Sequence, residues 1–194
     1  MLKKLSKKYN IILGSASPRR KELLSDINLK FSIQTSNEEE TFSCSLIEEE
    51  IAEFLAKQKS KFLSEKLQQN DLLITADTIV SFNNELLNKP KNKKEAFETL
   101  SKLSKNTHKV ITGVCLKSKN KEIIFSVTTM VTFKELSENE IYHYINKYNP
   151  YDKAGAYGIQ DWIGKIGISN INCSYTNVVG LPISELYQHL KLFI

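Results

Sequence analysis

Short apolar runs alternate along this chain with segments whose apolar residues recur every three or four positions. Runs of the first kind are typical of buried strands, and spacings of the second kind are typical of amphipathic helices. We therefore predict strands at residues 10–14, 31–34, 72–77, 78–82, 85–87, 108–117, 122–133, 163–168 and 173–179. Helices are predicted at residues 18–26, 46–67, 93–103 and 137–148, and from residue 183 onward.

The predicted helices and strands interleave, which favours a sheet with helices packed on it. The two long strands at residues 108–117 and 122–133 are joined by a single short connection, so we expect them to pair antiparallel. The pattern predicts a mixed, partly antiparallel sheet flanked by helices, in the α/β (α+β) class. No internal repeat and no linker rich in Gly, Ser or Pro divides the sequence, and we expect one domain at residues 1–194.

Composition narrows the classes of protein that fit. The chain has 194 residues, of which 41% are hydrophobic and 25% charged, as is ordinary for a soluble globular protein. No apolar run reaches the roughly 20 residues that cross a bilayer, so we expect no membrane partner. The three scattered cysteines fit a reducing compartment, the cytoplasm. The net charge of +5 suits an anionic substrate, but the lysines form no basic stripe and we expect no stable nucleic-acid partner.

The first predicted helix begins with an unusual distribution of charge. Ser17 is a favourable N-cap and Pro18 suits the first helical position, but Arg19 and Arg20 then fall in the first turn. A helix N-terminus carries partial positive charge, so cations there are unfavourable unless an anion lies among them. Backbone N–H groups, a hydroxyl and two guanidinium groups at one point indicate a phosphate site. The alternative interpretation is a basic helix start that is exposed to solvent.

Carboxylates in two segments could hold a metal or activate water. Asp77 ends the predicted strand at residues 72–77, where open α/β sheets commonly place ligand-contacting residues. Its alternative role is to form a turn. Glu38, Glu39 and Glu40 offer further carboxylates, with a solvated loop as the alternative. Such side chains can bind a divalent cation or act as a general base.

Lysines and a glycine-containing loop add to the candidate chemistry. Lys59 lies at the margin of the apolar face of its predicted helix and could lean over a neighbouring cleft. Lys89 precedes a proline, with an exposed lysine as the alternative. Lys153 and Gln160 lie in a loop whose glycines permit close approach of a ligand, and the Gln side chain offers the donor and acceptor that reading a base edge requires. Together these groups supply what hydrolysis of a phosphoanhydride needs.

Longer motifs follow one another along the chain. They are Ser15-x-Ser17-Pro18-Arg19-Arg20-x-Glu22-Leu23-Leu24, Ala76-Asp77-Thr78-Ile79-Val80, Lys89-Pro90, His108-x-Val110-x-Thr112-Gly113-Val114, Lys153-Ala154-Gly155-Ala156-Tyr157-Gly158-Ile159-Gln160 and Asn177-Val178-Val179-Gly180-Leu181-Pro182. In this order they resemble the motifs of the Maf family of nucleoside triphosphate pyrophosphatases, from about residue 10 to the C-terminus.

The resemblance implies an enzyme that splits a nucleoside triphosphate into a monophosphate and pyrophosphate with a divalent metal cation, Mg²⁺ or Mn²⁺. It also implies a two-lobed Maf/ITPase-like fold with the site in a central cleft, and a homodimer. The loop that ends at Gln160 resembles the branch acting on dTTP and UTP, and modified pyrimidine nucleotides are further candidate substrates. Some family members are linked to arrest of cell division and septum formation.

The family's site residues are carried over onto the matching positions of this chain. The general base falls on Asp77, which would bind the metal together with Glu39, or with Glu38 or Glu40 in its place. The substrate-binding residues are Arg19, Arg20, Glu39, Lys59, Lys89 and Lys153. The residues linked to base selection are Arg19, Thr78 and Gln160.

Asn88 and Asp161 depart from the family pattern. Asp161 replaces a usual glycine and adds negative charge beside Gln160, so it could change the geometry of the loop or the substrate preference. An alternative function is a nucleotide-binding regulator of septum formation whose effect needs no catalysis. A basic nucleic-acid-binding module is a weaker alternative, because the sequence lacks a run of aromatics for stacking on bases.

Overall fold

The computed structural model describes residues 1–35, 47–65 and 67–194. Within this part of the chain the strands are β1 (Asn10–Leu13), β2 (Ser32–Ile33), β3 (Asp71–Phe82), β4 (Glu85–Leu86), β5 (Thr107–Lys117), β6 (Glu122–Phe133) and β7 (Ile168–Asn172). The α-helices are α1 (Leu2–Lys8), α2 (Pro18–Asp26), α3 (Glu48–Ser64), α4 (Lys93–Leu103), α5 (Glu138–Tyr148), α6 (Trp162–Gly167), α7 (Tyr175–Val179) and α8 (Ile183–Leu190). Short 3-10 helices lie at Pro150–Asp152, Ala154–Ala156 and Lys191–Phe193.

The strands form one mixed sheet in the order β2-β1-β3-β5-β6-β7, with β4 paired to β3. β1 runs parallel to both β2 and β3, and Leu13 lies opposite Ile33 on one side and Ile74 on the other. β4 pairs antiparallel with β3, and β7 pairs antiparallel with β6. A sheet with both kinds of pairing and with helices between its strands along the chain confirms the predicted α/β (α+β) class.

The chain divides into two compact units. Unit 1 consists of Met1–Asp77, Thr112–Val127 and Gly180–Ile194, and unit 2 of Thr78–Ile111 and Thr128–Val179. In unit 1, a buried cluster of Ile12, Leu63 and Leu73 joins β1, α3 and β3. In unit 2, Leu100 and Tyr144 are fully buried on α4 and α5. The expectation of one domain at residues 1–194 stays a prediction.

Local signals in the sequence predict several elements correctly. The helices α2 and α4 have the predicted bounds. The helix α5 begins at the predicted capping box, in which the Ser137 N–H donates to the Glu140 carboxylate at 2.7 Å and the Glu140 N–H to the Ser137 hydroxyl at 3.3 Å. Asn83 and Asn84 adopt positive φ angles of 52° and 64°, as a tight turn between β3 and β4 requires.

Two predicted strands near the C-terminus are wrong. Residues 163–168 form most of the helix α6, in which Ile163 and Gly167 are buried one turn apart, and the strand β7 begins only at the end of this range. Residues 173–179 contain the helix α7, where the Ser174 hydroxyl accepts from the backbone N–H of Asn177 at 3.2 Å. A capping hydrogen bond and burial of one helical face outweigh the content of β-branched residues here. The helix α1 was not predicted.

The strand β3 does not end at Asp77 but continues to Phe82. The β-branched residues that follow Asp77 favour an extended backbone, so the strand is not interrupted. The neighbouring strand β1, in contrast, ends at Leu13, which lies opposite Ile74. Asp77 is therefore on the part of β3 that extends beyond the end of its parallel neighbour.

His108 lies in the core of unit 2. It is 1% exposed, its ring stacks on Phe133, and its Nε2 lies 2.7 Å from the Tyr157 hydroxyl oxygen. Burial lowers the pKa of His108 from 6.5 to about 4. Between these two pH values the unfolded chain binds more protons at His108 than the folded chain does. The free energy of unfolding therefore falls as the pH is lowered through this window.

We expect this single histidine to make the free energy of unfolding about 3 kcal/mol lower near pH 4 than near pH 7. Urea unfolding at a series of pH values should show a shallower pH dependence for His108→Gln than for the wild type. His143→Gln, which changes an exposed histidine of the same unit, is the control and should keep the wild-type slope. Equal slopes for the wild type and His108→Gln would show that His108 does not carry the effect.

Candidate active site

The loop between β1 and α2 is held by hydrogen bonds of Arg20. The Arg20 side chain is buried, its Nε donates to the Gly180 carbonyl at 2.7 Å, and its Nη1 donates to the Ser15 hydroxyl at 3.2 Å. The Ser15 hydroxyl also accepts from the backbone N–H of Ser17 at 3.2 Å. Ser17 is the N-cap of α2, as predicted, and accepts from the backbone N–H of Arg20. Arg20 thus orders the helix start itself, and Arg19 is half-buried beside it in the first turn.

Asp77 forms an ion pair with Lys59. The Lys59 ammonium on α3 donates to Asp77 Oδ1, and it lies 3.5 Å from the carbonyl oxygen of Ala76. The Lys59 and Asp77 side chains are only 18% and 16% exposed. Lys59, at the margin of the apolar face of its helix, is therefore directed to the catalytic candidate and not into solvent.

The helix α3 is placed against the sheet by close backbone contacts. A Cβ atom at Gly113 on β5 would lie 2.2 Å from the backbone carbonyl of Ala52, so only glycine allows α3 to pack this closely. One turn further along α3, the Ala56 carbonyl accepts from the buried Thr75 hydroxyl at 2.7 Å. Lys59 follows on the next turn. These contacts fix the height of Lys59 above β3 and so the position of its ammonium group at Asp77.

The helix start and Asp77 lie at the same edge of the sheet in unit 1. Because β1 and β3 are parallel, and because Leu13 and Ile74 are opposite each other, both chain segments continue beyond this pair in the same direction. Open α/β sheets bind ligands outside the carboxyl ends of their strands. Guanidinium groups, helix N–H groups and an ammonium–carboxylate pair at one edge can bind phosphate and activate water.

The loop at residues 153–160 belongs to unit 2. Gly155 has a φ angle of 71°, its N–H donates to the Leu87 carbonyl at 2.9 Å, and a Cβ atom there would lie 3.0 Å from Val80. The Lys153 ammonium donates to Asp152 Oδ1 at 2.6 Å. Gln160 is half-buried in a turn that the Asp161 N–H closes by donating to the Gly158 carbonyl at 3.0 Å. The glycine thus allows a tight backbone path between β3 and the segment that carries Gln160.

The remaining candidates are distributed as follows. Thr78 is half-buried in β3, and Lys89 is exposed between β4 and α4. Glu39, like Glu38 and Glu40, lies outside the described residues. Within residues 1–35, 47–65 and 67–194, no group of three or more His, Cys, Asp and Glu side chains is placed so that it could hold a metal ion. None of the described helices combines the length and the apolarity that a membrane crossing requires.

The structure also brings two residues from other elements, His108 and Tyr144, to the loop of unit 2, and the sequence did not predict these contacts. Tyr157 meets His108, and Tyr144 of α5 meets Gly158 and Asp161. His108 is 49 residues away from Tyr157 along the chain. No local pattern in the sequence indicates such pairings, because they depend on how β5 and α5 pack.

Comparison with known proteins gives the family. Residues 10–193 match the model of a family described as Maf-like protein. A dTTP/UTP pyrophosphatase from Flavobacterium psychrophilum is 50% identical to this chain over 98% of the chain and 97% of that protein. A dTTP/UTP pyrophosphatase from Flavobacterium johnsoniae is 44% identical over 100% of both chains.

A solved structure, the nucleoside-triphosphatase / dITP/XTP pyrophosphatase from Mycobacterium abscessus, is 10% identical, with a TM-score of 0.38 over 64% of this chain and 72% of that chain. That likeness is too slight to bear on the fold. The family match, in contrast, covers the motifs at the start of α2, around Asp77 and in the loop that ends at Gln160. The resemblance inferred from these motifs is confirmed, and the chain belongs to the Maf family.

Proposed function

We propose that this chain hydrolyses dTTP and UTP to the nucleoside monophosphate and pyrophosphate. The two relatives described above are named dTTP/UTP pyrophosphatases, and each aligns with nearly the whole chain. The observation that supports the chemistry most directly is the ion pair of Asp77 with Lys59, at the edge of β3 beyond the end of β1. The ammonium group holds this mostly buried carboxylate in one position, and a general base must be positioned within reach of the proton that it takes.

Asp77 is the general base in this proposal. It takes a proton from a water molecule whose oxygen attacks the α-phosphorus. The bond between that phosphorus and the bridging oxygen breaks, and pyrophosphate leaves with the electron pair. Lys59 orients the Asp77 carboxylate by donating to Oδ1. Positioning and neutralisation of charge supply most of the acceleration in such phosphoryl chemistry.

The phosphate oxygens are bound by cationic side chains in this proposal. The position of Arg19 supports this role, because it lies in the first turn of α2, where helix N–H groups also favour an anion. The support for Arg20 as a phosphate-binding residue is less direct, because part of its guanidinium group already donates to Gly180 and Ser15. Lys59, Lys89 and Lys153 are further substrate-binding cations, and Glu39 is proposed to line the site.

We propose that the Asp77 carboxylate binds a Mg²⁺ or Mn²⁺ ion that arrives with the substrate. Carboxylate oxygen is the donor these hard cations prefer, and Mg²⁺ is commonly bound by one or two carboxylates together with substrate phosphates. Asp77 would hold the ion, together with Glu39. When bound, the ion would neutralise charge on the phosphate oxygens.

A panel of nucleoside triphosphates with a pyrophosphate readout tests the proposed function. We expect the purified protein with Mg²⁺ to release pyrophosphate from dTTP and UTP faster than from dCTP, dATP and dGTP. Modified pyrimidine triphosphates belong in the same panel, because one extra methyl group changes discrimination by only about 1–3 kcal/mol. Binding of these nucleotides without any turnover would contradict the proposal and favour a nucleotide-binding regulator of septum formation.

Gln160→Ala is expected to change the choice of base. Arg19, Thr78 and Gln160 are the proposed base-selecting residues, and the Gln160 amide can pair with both a donor and an acceptor of the base. Its loss should lower kcat/KM for dTTP and UTP about tenfold relative to dCTP. Steady-state kinetics measures this ratio, with Gln188→Ala, an exposed glutamine of α8, as the control. An equal loss for every nucleotide would contradict the base-selecting role.

We also propose, from the family resemblance, that the protein is a cytoplasmic homodimer that forms no stable complex with nucleic acid. Light scattering after size exclusion measures the mass in solution. A monomer mass at micromolar concentration would contradict the dimer.

A further inference from the structure

The hydroxyl group of Tyr144 makes two hydrogen bonds to the turn that carries Gln160. It donates to Asp161 Oδ2 at 2.6 Å and accepts from the backbone N–H of Gly158 at 3.0 Å. Gly158 and Asp161 are the first and last residues of this turn, and Gln160 lies between them. One phenol group therefore holds both ends of the turn.

The phenol group is carried by a buried side chain in unit 2. Tyr144 is fully buried on α5, on the same face as the buried Ile141 and Ile145. Burial and the hydrogen bond to Asp161 raise the pKa of Tyr144 well above its usual range, so the hydroxyl stays protonated and keeps its donor. A hydrogen bond from a hydroxyl to a carboxylate is also one of the stronger kinds.

The Asp161 carboxylate accepts a hydrogen bond from Tyr144 and does not cap its own helix. It occupies the N-cap of α6, a position that aspartate favours, yet its side chain makes no capping hydrogen bond there. Its carboxylate also restricts position 158, because a Cβ atom at Gly158 would lie 2.5 Å from Asp161 Oδ2. The position of the Asp161 carboxylate therefore depends both on the Tyr144 hydroxyl and on the absence of a side chain at Gly158. The residue at 161 that departs from the family pattern has a specific partner in this chain.

We propose that Tyr144 and Asp161 are positioning residues that set the base selectivity of this protein through Gln160. This inference rests on the proposed function of Gln160. Tyr144 acts through Gly158 and Asp161, on either side of Gln160, so loss of its hydroxyl moves the base-selecting amide. Arg19, Lys59 and Asp77 of unit 1 keep their own contacts, and the chemical step should change little.

Kinetics of Tyr144→Phe on dTTP, UTP and dCTP tests this role. Phe fills the same volume and removes only the hydroxyl. We expect KM for dTTP and UTP to rise about tenfold, with kcat changed less than about threefold and with the values for dCTP nearly unchanged. Tyr142→Phe, which removes an exposed hydroxyl from the same helix, is the matched control and should behave as the wild type.

Two variants of Asp161 distinguish the effect of losing the hydrogen bond to Tyr144 from the effect of a lower overall stability. Asp161→Asn keeps an oxygen that can accept from Tyr144 and should retain the selectivity for dTTP and UTP. Asp161→Ala removes the acceptor and should lose selectivity as Tyr144→Phe does. Hydrogen exchange at the amide of Gly158 should accelerate in Tyr144→Phe, whatever the activity. These comparisons hold even where one variant is less stable than the others.

The outcomes distinguish failure of this inference from failure of the proposed function. Hydrolysis of dTTP and UTP with unchanged selectivity in Tyr144→Phe and Asp161→Ala would overturn the inference alone. Equal slowing on every nucleotide would also overturn it, because this would indicate a purely structural role. Absence of dTTP and UTP hydrolysis by the wild type would refute the proposed function, and the inference with it.

Discussion

Asp77→Asn is expected to keep the fold and to lose at least about a hundredfold in the rate of pyrophosphate release. Asparagine has nearly the same volume as aspartate, and its side-chain oxygen can still accept a hydrogen bond from Lys59. It cannot take a proton from water, so the loss should appear in kcat. Release of pyrophosphate from dTTP under saturating substrate and Mg²⁺ measures it.

The control for Asp77→Asn removes a different carboxylate that also pairs with a lysine. Glu135 lies 3.4 Å from the Lys105 ammonium group, and both side chains are about three-quarters exposed, at 75% and 74%. An exposed ion pair contributes little to stability, so loss of this pair should leave the fold intact. Glu135→Gln should therefore keep the wild-type rate. A rate for Asp77→Asn within a few-fold of the wild type would remove Asp77 from the role of general base.

The second large effect is expected from Gly113→Ala. The added Cβ atom would meet backbone atoms of Ala52 at 2.2 Å, and a helix backbone cannot move aside as the end of a side chain can. We expect the free energy of unfolding to fall by about 1–3 kcal/mol or more. Because Lys59 is on the same helix two turns further along, displacement of α3 should also separate it from Asp77 and lower kcat. Urea unfolding and dTTP hydrolysis measure the two effects.

Gly167→Ala is the matched control for Gly113→Ala. A Cβ atom at Gly167 would lie 2.9 Å from Leu136 Cδ2 and 3.1 Å from Phe133 Cδ1, which are side-chain atoms that can shift. The loss of stability should therefore be smaller, and kcat should not change because Leu136 and Phe133 do not position Lys59 or Asp77. Equal stability of the wild type and Gly113→Ala would show that α3 adjusts without cost.

Elements governed by local signals could be predicted from the sequence. Ser17 and Pro18 mark the start of α2, and the capping box at Ser137 marks the start of α5. Elements governed by packing could not be predicted in this way. The helices α6 and α7 are short, rich in β-branched residues and stabilised by burial of one face, so their sequences predict strands.

The candidate site shows the same division. The identity of Asp77 follows from its motif, but its place inside a continuous strand does not, because the edge at which it lies is formed by the end of β1. Pairing of Lys59 with Asp77 depends on how closely α3 packs at Gly113. The support of Gln160 by Tyr144 depends on α5, which the sequence gives no reason to place beside the loop.

Hydrolysis of dTTP in water enriched in ¹⁸O, with Mg²⁺ and product analysis by mass spectrometry, tests whether this chain directs water to the α-phosphorus. We expect dTMP that carries one ¹⁸O atom together with unlabelled pyrophosphate, because water attacks the α-phosphorus. The label in pyrophosphate would contradict attack at that atom. Formation of dTDP and orthophosphate, or no product, would contradict the proposed function itself.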